Sequence, residues 1–391
     1  MKQDISYVLV TPYTIAKSRT GGVLSRLLSR TDLELVGAQM FAPNDDFVKQ
    51  YAEQIRSGIS AEEILLIADY VEKNLAPSEG RRHRSLLLLF RGENPCEKLL
   101  AICGHIHTKP QLVEAITGET IRDTYADLIF SREKPDEVSY FEPAVLTARN
   151  QKDANMHLGL FAAFLKGQEN IIENIRYSDP SRIEKTLVII KPDNWKHNSS
   201  RPGTIIDMFS RTGLRIIGIK VHRFSLAEAL DFYGPVEGVL KKNLAPKFGT
   251  RAREILEREF AFVLSEDSAR LLTEDFGVEC AKDQFSQIIE FMSGRRPGNY
   301  PAEEFKKPGT VKCMILVYEG ENAIKKIRDV LGPTDPLKAP EGTVRREFGS
   351  NVMVNTAHAS DAPESFEREQ AIVRIEENTL ASIIEEYLTG K

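Results

Sequence analysis

The stretch of residues 355–361 brings together side chains that could carry out nucleophilic chemistry. His358 stands at its centre, Ser360 supplies a hydroxyl, and Glu369 follows within reach of the imidazole. A carboxylate that holds one nitrogen of an imidazole leaves the other nitrogen to act as a nucleophile. Backbone N–H groups at a junction between a strand and a helix also attract anions. The stretch therefore predicts a histidine that attacks phosphorus.

The elements predicted around His358 would place it at such a junction. The apolar run 352–354 is typical of a strand. A helix is predicted to follow, with Pro363 and Glu364 in its first turn. Ser360 and Asp361 are the candidate caps of that helix.

The composition is that of an ordinary globular protein with room for two domains. The 391 residues are 41% apolar and 28% charged, and the formal net charge is −5. The densest basic cluster, residues 81–84, is short, which argues against nucleic acid binding. Apolar runs fall short of a membrane span, and the four cysteines lack CxxC spacing. We therefore expect a cytoplasmic protein with free thiols, no metal cage and no membrane partner.

Strand and helix patterns alternate along the chain. In the first half, strands are predicted at 6–10, 33–38, 85–90 and 142–148, and helices at 23–28, 45–56, 61–73, 94–102 and 153–165. In the second half, strands are predicted at 186–190, 214–221, 313–318 and 352–354, and helices at 204–211, 226–233, 250–260, 265–276 and 322–331.

The two halves share short sequence motifs in the same order, which indicates an internal duplication. The matched pairs are 22–37 with 203–218, 92–104 with 320–332, and 120–122 with 343–345. The segment 178–181 is typical of a short linker. The predicted domains are therefore residues 1–178 and 183–391.

Each half predicts a mixed α/β (α+β) domain. A tandem of ferredoxin-like βαββαβ domains fits the order and size, each a mostly antiparallel sheet with helices on one face. A doubly wound parallel sheet is the alternative. That fold usually carries a glycine-rich phosphate loop after its first strand, whereas residues 191–194 are Lys-Pro-Asp-Asn.

The second half resembles the nucleoside diphosphate kinases. The resemblance rests on the Lys-Pro-Asp word at 191–193, the segments 328–336 and 342–348, and the Asn-x-x-His-x-Ser-Asp word at 355–361. It implies a ping-pong transfer of the γ-phosphoryl group from a nucleoside triphosphate to a nucleoside diphosphate, through phosphorylated His358. ATP or another nucleoside triphosphate would be the donor. Mg²⁺ would be bound by the phosphate oxygens of the nucleotide, with or without a contact to Asp361 through water.

The resemblance also implies roles for individual residues. Glu369 would orient the imidazole, and Ser360 would pair with that carboxylate. Lys191 would take part in catalysis, since cationic groups neutralise a triphosphate that otherwise repels the nucleophile. The expected nucleotide contacts are Lys191, Tyr233, Phe285, Arg328, Thr334, Arg345 and Asn355. Phe285 is the expected base-stacking residue, with Gln284 at a competing register.

Two insertions depart from the family pattern. They are expected at about 234–284 and 295–310, next to the helical hairpin that would clamp the base. They could form a lid, a subunit contact or a specificity element.

The first half departs further at the positions that carry chemistry. Its matched residues are Thr11 for Lys191, Leu100 for Arg328, Ile106 for Thr334 and about Arg149 for His358, while Arg122 keeps the place of Arg345. We therefore expect a degenerate, catalytically inactive domain that serves as an interface, a regulatory surface or a nucleotide site.

The resemblance leaves the assembly and one functional alternative open. It implies either a homo-oligomer or a pseudo-dimer within one chain. The alternative function is a nucleotide-binding regulatory or scaffold protein of the same fold that has lost kinase activity.

Overall fold

The computed structural model describes residues 3–57, 61–106, 108, 117–134, 137–377 and 379–390. The chain divides into two compact units, one of residues 1–221 with 314–391 and one of residues 222–313. The larger unit holds nearly all of both sheets, so the compact units do not follow the linker at 178–181.

The elements of the first half alternate largely as the sequence pattern predicts. They are β1 (Asp4–Val10), α1 (Pro12–Ala16), α2 (Thr20–Ser29), β2 (Glu34–Phe41), α3 (Asp45–Arg56), α4 (Glu62–Asn74), β3 (Ser85–Gly92), α5 (Pro95–Cys103), α6 (Ile121–Tyr125), β4 (Asp127–Phe130), β5 (Val138–Glu142), β6 (Val145–Thr147) and α7 (Gln151–Leu165).

The second half repeats this order and adds helices after its second strand. Its elements are β7 (Ile183–Ile190), α8 (Arg201–Ser210), β8 (Arg215–His222), α9 (Leu226–Phe260), α10 (Glu266–Leu271), α11 (Val278–Ser293), β9 (Cys313–Glu321), α12 (Ala323–Leu331), α13 (Val344–Phe348), β10 (Ala357–Ala359), α14 (Pro363–Val373) and α15 (Leu380–Thr389).

Each half forms a four-stranded sheet of the same topology. The strand orders are β2-β3-β1-β6 and β10-β7-β9-β8. The central pairs β1–β3 and β7–β9 are antiparallel, as are the outer pairs β1–β6 and β7–β10. In both sheets the first strand lies between the third and the fourth, which is the ferredoxin-like order. The ferredoxin-like prediction is confirmed, and the parallel alternative is excluded.

The alternation of side chains along β1 feeds two hydrophobic cores. Val8 and Val10 point into a core that continues into the second half, whereas Tyr7 and Leu9 join a core built with α3, α4, α7 and α15. Helices therefore cover both faces of the first sheet, so the prediction of helices on one face is wrong for this sheet. The helices that pack against Tyr7 and Leu9 include α15, which comes from the end of the chain.

The two halves meet where α2 packs against α8, with their backbones in contact. A Cβ atom placed on Gly203 would lie 2.2 Å from the Ser25 nitrogen and 2.5 Å from the Gly21 carbonyl oxygen. A Cβ atom on Gly21 would lie 2.4 Å from the Asp207 nitrogen. Only glycine leaves room for such an approach. The chain thus contains its own pseudo-symmetric helix interface.

A buried asparagine fastens the outer strands of the two sheets to each other. Asn170 accepts a hydrogen bond from the Met40 nitrogen of β2 at 3.0 Å and donates to the Ile219 oxygen of β8 at 2.8 Å. Since β2 and β8 are both edge strands, this bridge occupies backbone groups that an open edge would expose.

The smaller unit is helical. A capping box at Ser225 and Glu228 starts α9, which then runs unbroken for 35 residues. The sequence predicts helices at 226–233 and 250–260 and leaves the residues between them unassigned. The structure joins both stretches in α9, which contains Pro235 and Pro246 although proline usually ends or kinks a helix.

Candidate active site

His358 lies at the centre of the three-residue strand β10. It pairs with Ile189 of β7 at the edge of the sheet, and its side chain is 24% exposed. The strand ends at Ala359, and α14 begins four residues later at Pro363. The predicted junction of strand and helix is therefore present, with a partly exposed imidazole in the strand.

A chain of hydrogen bonds fixes the protonation of the imidazole. The Ser360 hydroxyl donates to Oε2 of Glu369 at 2.7 Å, and His358 Nε2 lies 2.9 Å from Oε1 of the same carboxylate. Because the carboxylate already accepts from serine and is an acceptor when ionised, Nε2 must donate to it. The proton thus sits on Nε2, and Nδ1 carries the lone pair.

Burial makes this chain rigid. Glu369 is 3% exposed and Ser360 is fully buried. The Ser360 hydroxyl also accepts from the Leu187 nitrogen of β7 at 3.3 Å, and the Ser360 nitrogen donates to the Leu187 oxygen at 3.0 Å. The orientation of the histidine is therefore set by the sheet itself.

A second chain of contacts starts from Lys191 at the end of β7. Its Nζ atom donates to Oδ1 of Asn355 at 2.7 Å, and Nδ2 of Asn355 donates to the Thr334 carbonyl at 3.0 Å. Lys191 is 8% exposed, and burial together with the smaller effect of the Arg345 charge lowers the pKa of its ammonium to about 7. The three predicted residues are thus brought together, Thr334 through its backbone.

Arg345 binds two backbone carbonyls. Its Nη1 atom donates to the Gly332 oxygen at 2.9 Å and its Nη2 atom to the Ala357 oxygen at 3.0 Å. These bonds tie the end of α12 to the strand that carries His358. Arg345 therefore positions the site, and its contact with phosphate stays a prediction.

Arg328 and Asp361 lie on the exposed side of the site. The charge of Arg328 helps to lower the pKa of the Asp361 carboxyl, after the larger effect of a hydrogen bond from Ser365. That hydroxyl lies 2.6 Å from Oδ1 of Asp361. The guanidinium of Arg328 and the carboxylate of Asp361 are therefore close enough for their charges to interact. Arg328 is exposed to solvent.

Asn194 is a structural residue of the site that sequence reasoning missed. Its Nδ2 atom donates to the Lys191 oxygen at 3.0 Å and to the Thr356 oxygen at 2.8 Å, and it is 3% exposed. It thereby joins the end of β7 to the turn before β10. The available signal was its place in the word Lys-Pro-Asp-Asn directly after a buried strand.

Two local predictions around His358 are wrong. Residues 352–354 form a turn rather than a strand, because Oδ1 of Asn351 accepts from the nitrogens of Met353 and Val354 at 2.9 and 2.8 Å. The helix α14 starts after Ala362, which has no capping side chain. The candidate caps Ser360 and Asp361 bond to Glu369 and Ser365 instead.

Comparison with known proteins identifies the family. The sequence model of the family described as nucleoside diphosphate kinase matches residues 184–243 and 272–378. A nucleoside diphosphate kinase of Bdellovibrio bacteriovorus is 32% identical over 190 residues, which cover 49% of this chain and 92% of that protein. The chain belongs to the nucleoside diphosphate kinase family.

Other family members give the same coverage. The nucleoside diphosphate kinase of Paracoccus denitrificans is 32% identical over 189 residues, covering 48% of this chain and 91% of that protein. A solved NDP kinase from Pyrobaculum aerophilum is 26% identical, with 49% of this chain and 94% of that chain covered and a TM-score of 0.33.

Two residues expected to bind the nucleotide belong to the smaller unit. Tyr233 lies on α9 and Phe285 on α11, and both are mostly buried. Residues 244–271, between the two segments matched to the nucleoside diphosphate kinases, fall within the insertion expected at 234–284. The roles of Tyr233 and Phe285 stay predictions.

In the first half, the strand register identifies which residue is equivalent to His358. Leu146 pairs with Leu9 of β1 as His358 pairs with Ile189 of β7. Thr11 and Lys191 each follow their first strand and donate from the backbone nitrogen to a residue with positive φ, Ala144 and Thr356. The equivalent position is therefore Leu146, and the expectation of Arg149 is wrong by three residues, because the pairing with β1 sets the equivalence and the sequence alone does not show that pairing.

In the first half, the position equivalent to Lys191 is next to a buried carboxylate and has no cationic side chain. The Thr11 hydroxyl donates to Oε1 of Glu142 at 2.7 Å, and the Tyr70 hydroxyl donates to Oε2 at 2.6 Å. Glu142 is 2% exposed, and burial raises the pKa of its carboxyl. Arg122 keeps the structural contacts of Arg345, since it donates to the carbonyls of Gly104 and Val145.

Proposed function

We propose that this chain is a nucleoside diphosphate kinase that works through a phosphohistidine at His358. The observation that carries the proposal is the Ser360–Glu369–His358 chain of hydrogen bonds, which leaves Nδ1 as the nucleophilic nitrogen. Family membership supports the reaction, and this geometry supports the residue.

In the first half-reaction, the Nδ1 lone pair forms a bond to the γ-phosphorus of a nucleoside triphosphate. The bond from that phosphorus to the bridging oxygen breaks, and the nucleoside diphosphate leaves with the electron pair. The imidazole becomes cationic, with its proton still on Nε2, and the Glu369 carboxylate stabilises that charge. The second half-reaction reverses these steps with a different nucleoside diphosphate.

The cationic residues would lower the repulsion between substrate and site. Lys191, Arg328 and Arg345 are the expected partners of the phosphate oxygens. Asn355 holds Nζ of Lys191 at 2.7 Å, so the ammonium is already placed before a nucleotide binds. Such preorganised charge is the main contribution that a protein makes to phosphoryl transfer.

Mg²⁺ fits this site only as a companion of the nucleotide. No group of three or more His, Cys, Asp or Glu side chains that could hold a metal occurs within the described part of the chain. Asp361 is an exposed carboxylate close to His358. The ion would therefore bind mainly phosphate oxygens and neutralise their charge, with Asp361 reaching it through water.

The first half is proposed to be catalytically inactive. Leu146 has no nucleophilic atom, and the buried Glu142 occupies the surroundings in which the second half places Lys191. A carboxylate there repels a phosphate chain instead of binding it. We propose that this half contributes the α2–α8 interface as one half of an intrachain pseudo-dimer.

The free cysteines support a cytoplasmic location for the protein. Cys96, Cys103, Cys280 and Cys313 are all free thiols, as is usual in a reducing compartment. In a separate finding, no described helix is long and apolar enough to cross a membrane.

Initial-rate kinetics test the reaction. We expect phosphoryl transfer from ATP to a second nucleoside diphosphate, with parallel lines in double-reciprocal plots because the free enzyme alternates with its phosphorylated form. Binding of ATP without any transfer would instead support the nucleotide-binding scaffold. Intersecting lines would contradict the covalent intermediate.

The unusual pKa of Lys191 gives a second prediction. Because burial lowers it from 10.5 to about 7, the charged form of Lys191 costs stability below pH 7, and this cost fades as the pH rises from about 7 to 10.5. A bound phosphate chain favours the charged form, so nucleotide should raise this pKa again. Carbon-13 NMR of labelled lysine side chains measures both values.

The resonance of Lys191 is assigned by its loss in Lys191→Met. We expect this resonance to titrate near neutral pH in the free protein and well above it with Mg²⁺ and ADP. A titration midpoint near the ordinary value of 10.5 in the free protein would contradict the buried, preorganised lysine.

A further inference from the structure

A cavity lined by arginines lies at the junction of the two halves, apart from the residues around His358. Its volume is about 320 Å³. The segment 81–84 that precedes β3 forms one wall, Arg215 at the start of β8 forms another, and Asn174 lies between them on the segment that links the halves. We call this the junction cavity.

The lining of the junction cavity is strongly positive. It contains Arg81, Arg82, Arg84 and Arg215, together with His83, and none of its described lining residues is acidic. Like charges held this close repel one another, especially where burial reduces screening by water. Burial together with the smaller effect of the Arg215 charge lowers the pKa of Arg84 to about 10.

The structure holds two of these guanidinium groups in place through backbone carbonyls. Arg84 donates from Nη1 to the Ile216 oxygen at 2.6 Å, and Arg215 donates from Nη1 to the Ala16 oxygen at 3.2 Å. Carbonyls orient the groups without cancelling their charge. A guanidinium has five N–H donors, so one such contact still leaves several for a ligand.

The nearby carboxylates compensate the charge only in part. Glu79 pairs with Arg81 at 3.1 Å, but its side chain is 80% exposed, so water screens the pair. Glu319 acts on Arg84 from a buried position, and burial raises the pKa of its own carboxyl. The junction cavity therefore keeps an excess of positive charge.

The geometry points to an oligophosphate as the ligand of this cavity. We propose that the junction cavity binds a chain of two or three phosphate groups, either free or carried by a nucleotide, through Arg81, Arg82, Arg84 and Arg215. Planar guanidinium groups match the spacing of phosphate oxygens. A volume of about 320 Å³ is within the range of small-molecule sites and exceeds what a single phosphate fills.

Binding there would connect the two halves. Arg84 belongs to the segment before β3, whereas Arg215 opens β8 in the other sheet. An oligophosphate that bridges these arginines adds a charged tie between the first half and the second. This gives the first half a ligand site, although its own lysine and histidine positions are lost.

Arginine modification provides a readout that is local to the junction cavity. The full-length protein is treated with phenylglyoxal at increasing concentrations of tripolyphosphate, and the modified arginines are located by peptide mass spectrometry. We expect tripolyphosphate to protect Arg81 and Arg82, while the exposed Arg211 at the end of α8 stays reactive. The concentration dependence at Arg81 gives the Kd of this site alone.

Variants test which side chains hold the anion. Arg82→Ser with Arg215→Ser should raise the Kd measured at Arg81 at least about tenfold, as expected for the loss of charge-assisted hydrogen bonds. Arg211→Ser removes an equal type of charge outside the cavity and should leave the Kd unchanged. Circular dichroism and the melting temperature establish that the variants are folded.

The outcomes separate cleanly. Unchanged modification of Arg81 and Arg82 at saturating tripolyphosphate overturns the proposal, as does an equal Kd in the double variant and in Arg211→Ser. Protection by both ATP and tripolyphosphate supports the site with a nucleotide as a competent source of the phosphates. Protection by tripolyphosphate alone supports it with a free oligophosphate as the ligand.

Discussion

Replacing His358 with glutamine is expected to lower the rate of phosphoryl transfer by on the order of 10⁴-fold, because the reaction then lacks its nucleophile. Glutamine can still bond to Glu369, so the carboxylate is not left buried without a partner. The fold should therefore survive, and binding of nucleotide should change little. Coupled assays of transfer and direct titration with a nucleotide measure these two effects separately.

The matched control is His197→Gln. This histidine is exposed and follows β7, the strand that pairs with the strand of His358. It takes no part in the proposed mechanism. Its variant should transfer phosphate at the wild-type rate. Transfer by His358→Gln within about tenfold of wild type would place the nucleophile elsewhere.

Replacing Gly203 with alanine should destabilise the larger unit by about 2 kcal/mol, the usual cost of forcing an extra methyl group into a packed contact. The new Cβ atom would lie 2.2 Å from the Ser25 nitrogen and 2.5 Å from the Gly21 oxygen. Both are backbone atoms, which cannot rotate away. The helices α2 and α8 must separate, which loosens the core that the two halves share.

A glycine on another helix supplies the control for this prediction. Gly159 lies inside α7, and a Cβ atom there would meet its nearest neighbour, Leu388 Cδ1, at 3.9 Å. Gly159→Ala should therefore stabilise the protein by up to about 1 kcal/mol through helix propensity. Trp195 is the single tryptophan and packs against the shared core, so its fluorescence in urea reports the unfolding of this unit.

Equal unfolding free energies for Gly203→Ala and Gly159→Ala would mean that the α2–α8 contact does not limit stability. The intrachain pseudo-dimer would then depend on other contacts, such as the Asn170 bridge between β2 and β8.

The sequence anticipated the parts of the structure that local patterns determine. Apolar runs located the long strands, and repeated words revealed two sheets of one topology. The pairing of His358 with Glu369 followed from the spacing between a strand end and the first turns of a helix. These features depend on residues that lie close together in the chain or recur with a fixed period.

Other parts depend on pairing between distant segments. The strand β10 has three residues, too few for a hydrophobic pattern, and its register comes from β7. For that reason the equivalence of His358 with Leu146 was missed. The turn at 351–354 was missed because the side chain of Asn351 outweighs the β-propensity of the apolar residues after it.

The continuity of α9 and the role of Arg345 follow from tertiary structure in the same way. Pro246 lies inside a long helix that packs against α11 and against the π-helical segment Leu272–Gly277. Arg345 looked like a phosphate ligand by sequence, yet it also ties Gly332 to Ala357. The matching contacts of Arg122 in the other half indicate that this arginine serves the fold first.

The most direct test of the mechanism is the number and position of phosphates on the protein after incubation with γ-labelled ATP and Mg²⁺. We expect one acid-labile, alkali-stable phosphate per chain, on Nδ1 of His358, which is lost when a nucleoside diphosphate is added. A labelled residue other than His358, a second labelled histidine in the first half, or no label on an active enzyme would contradict it.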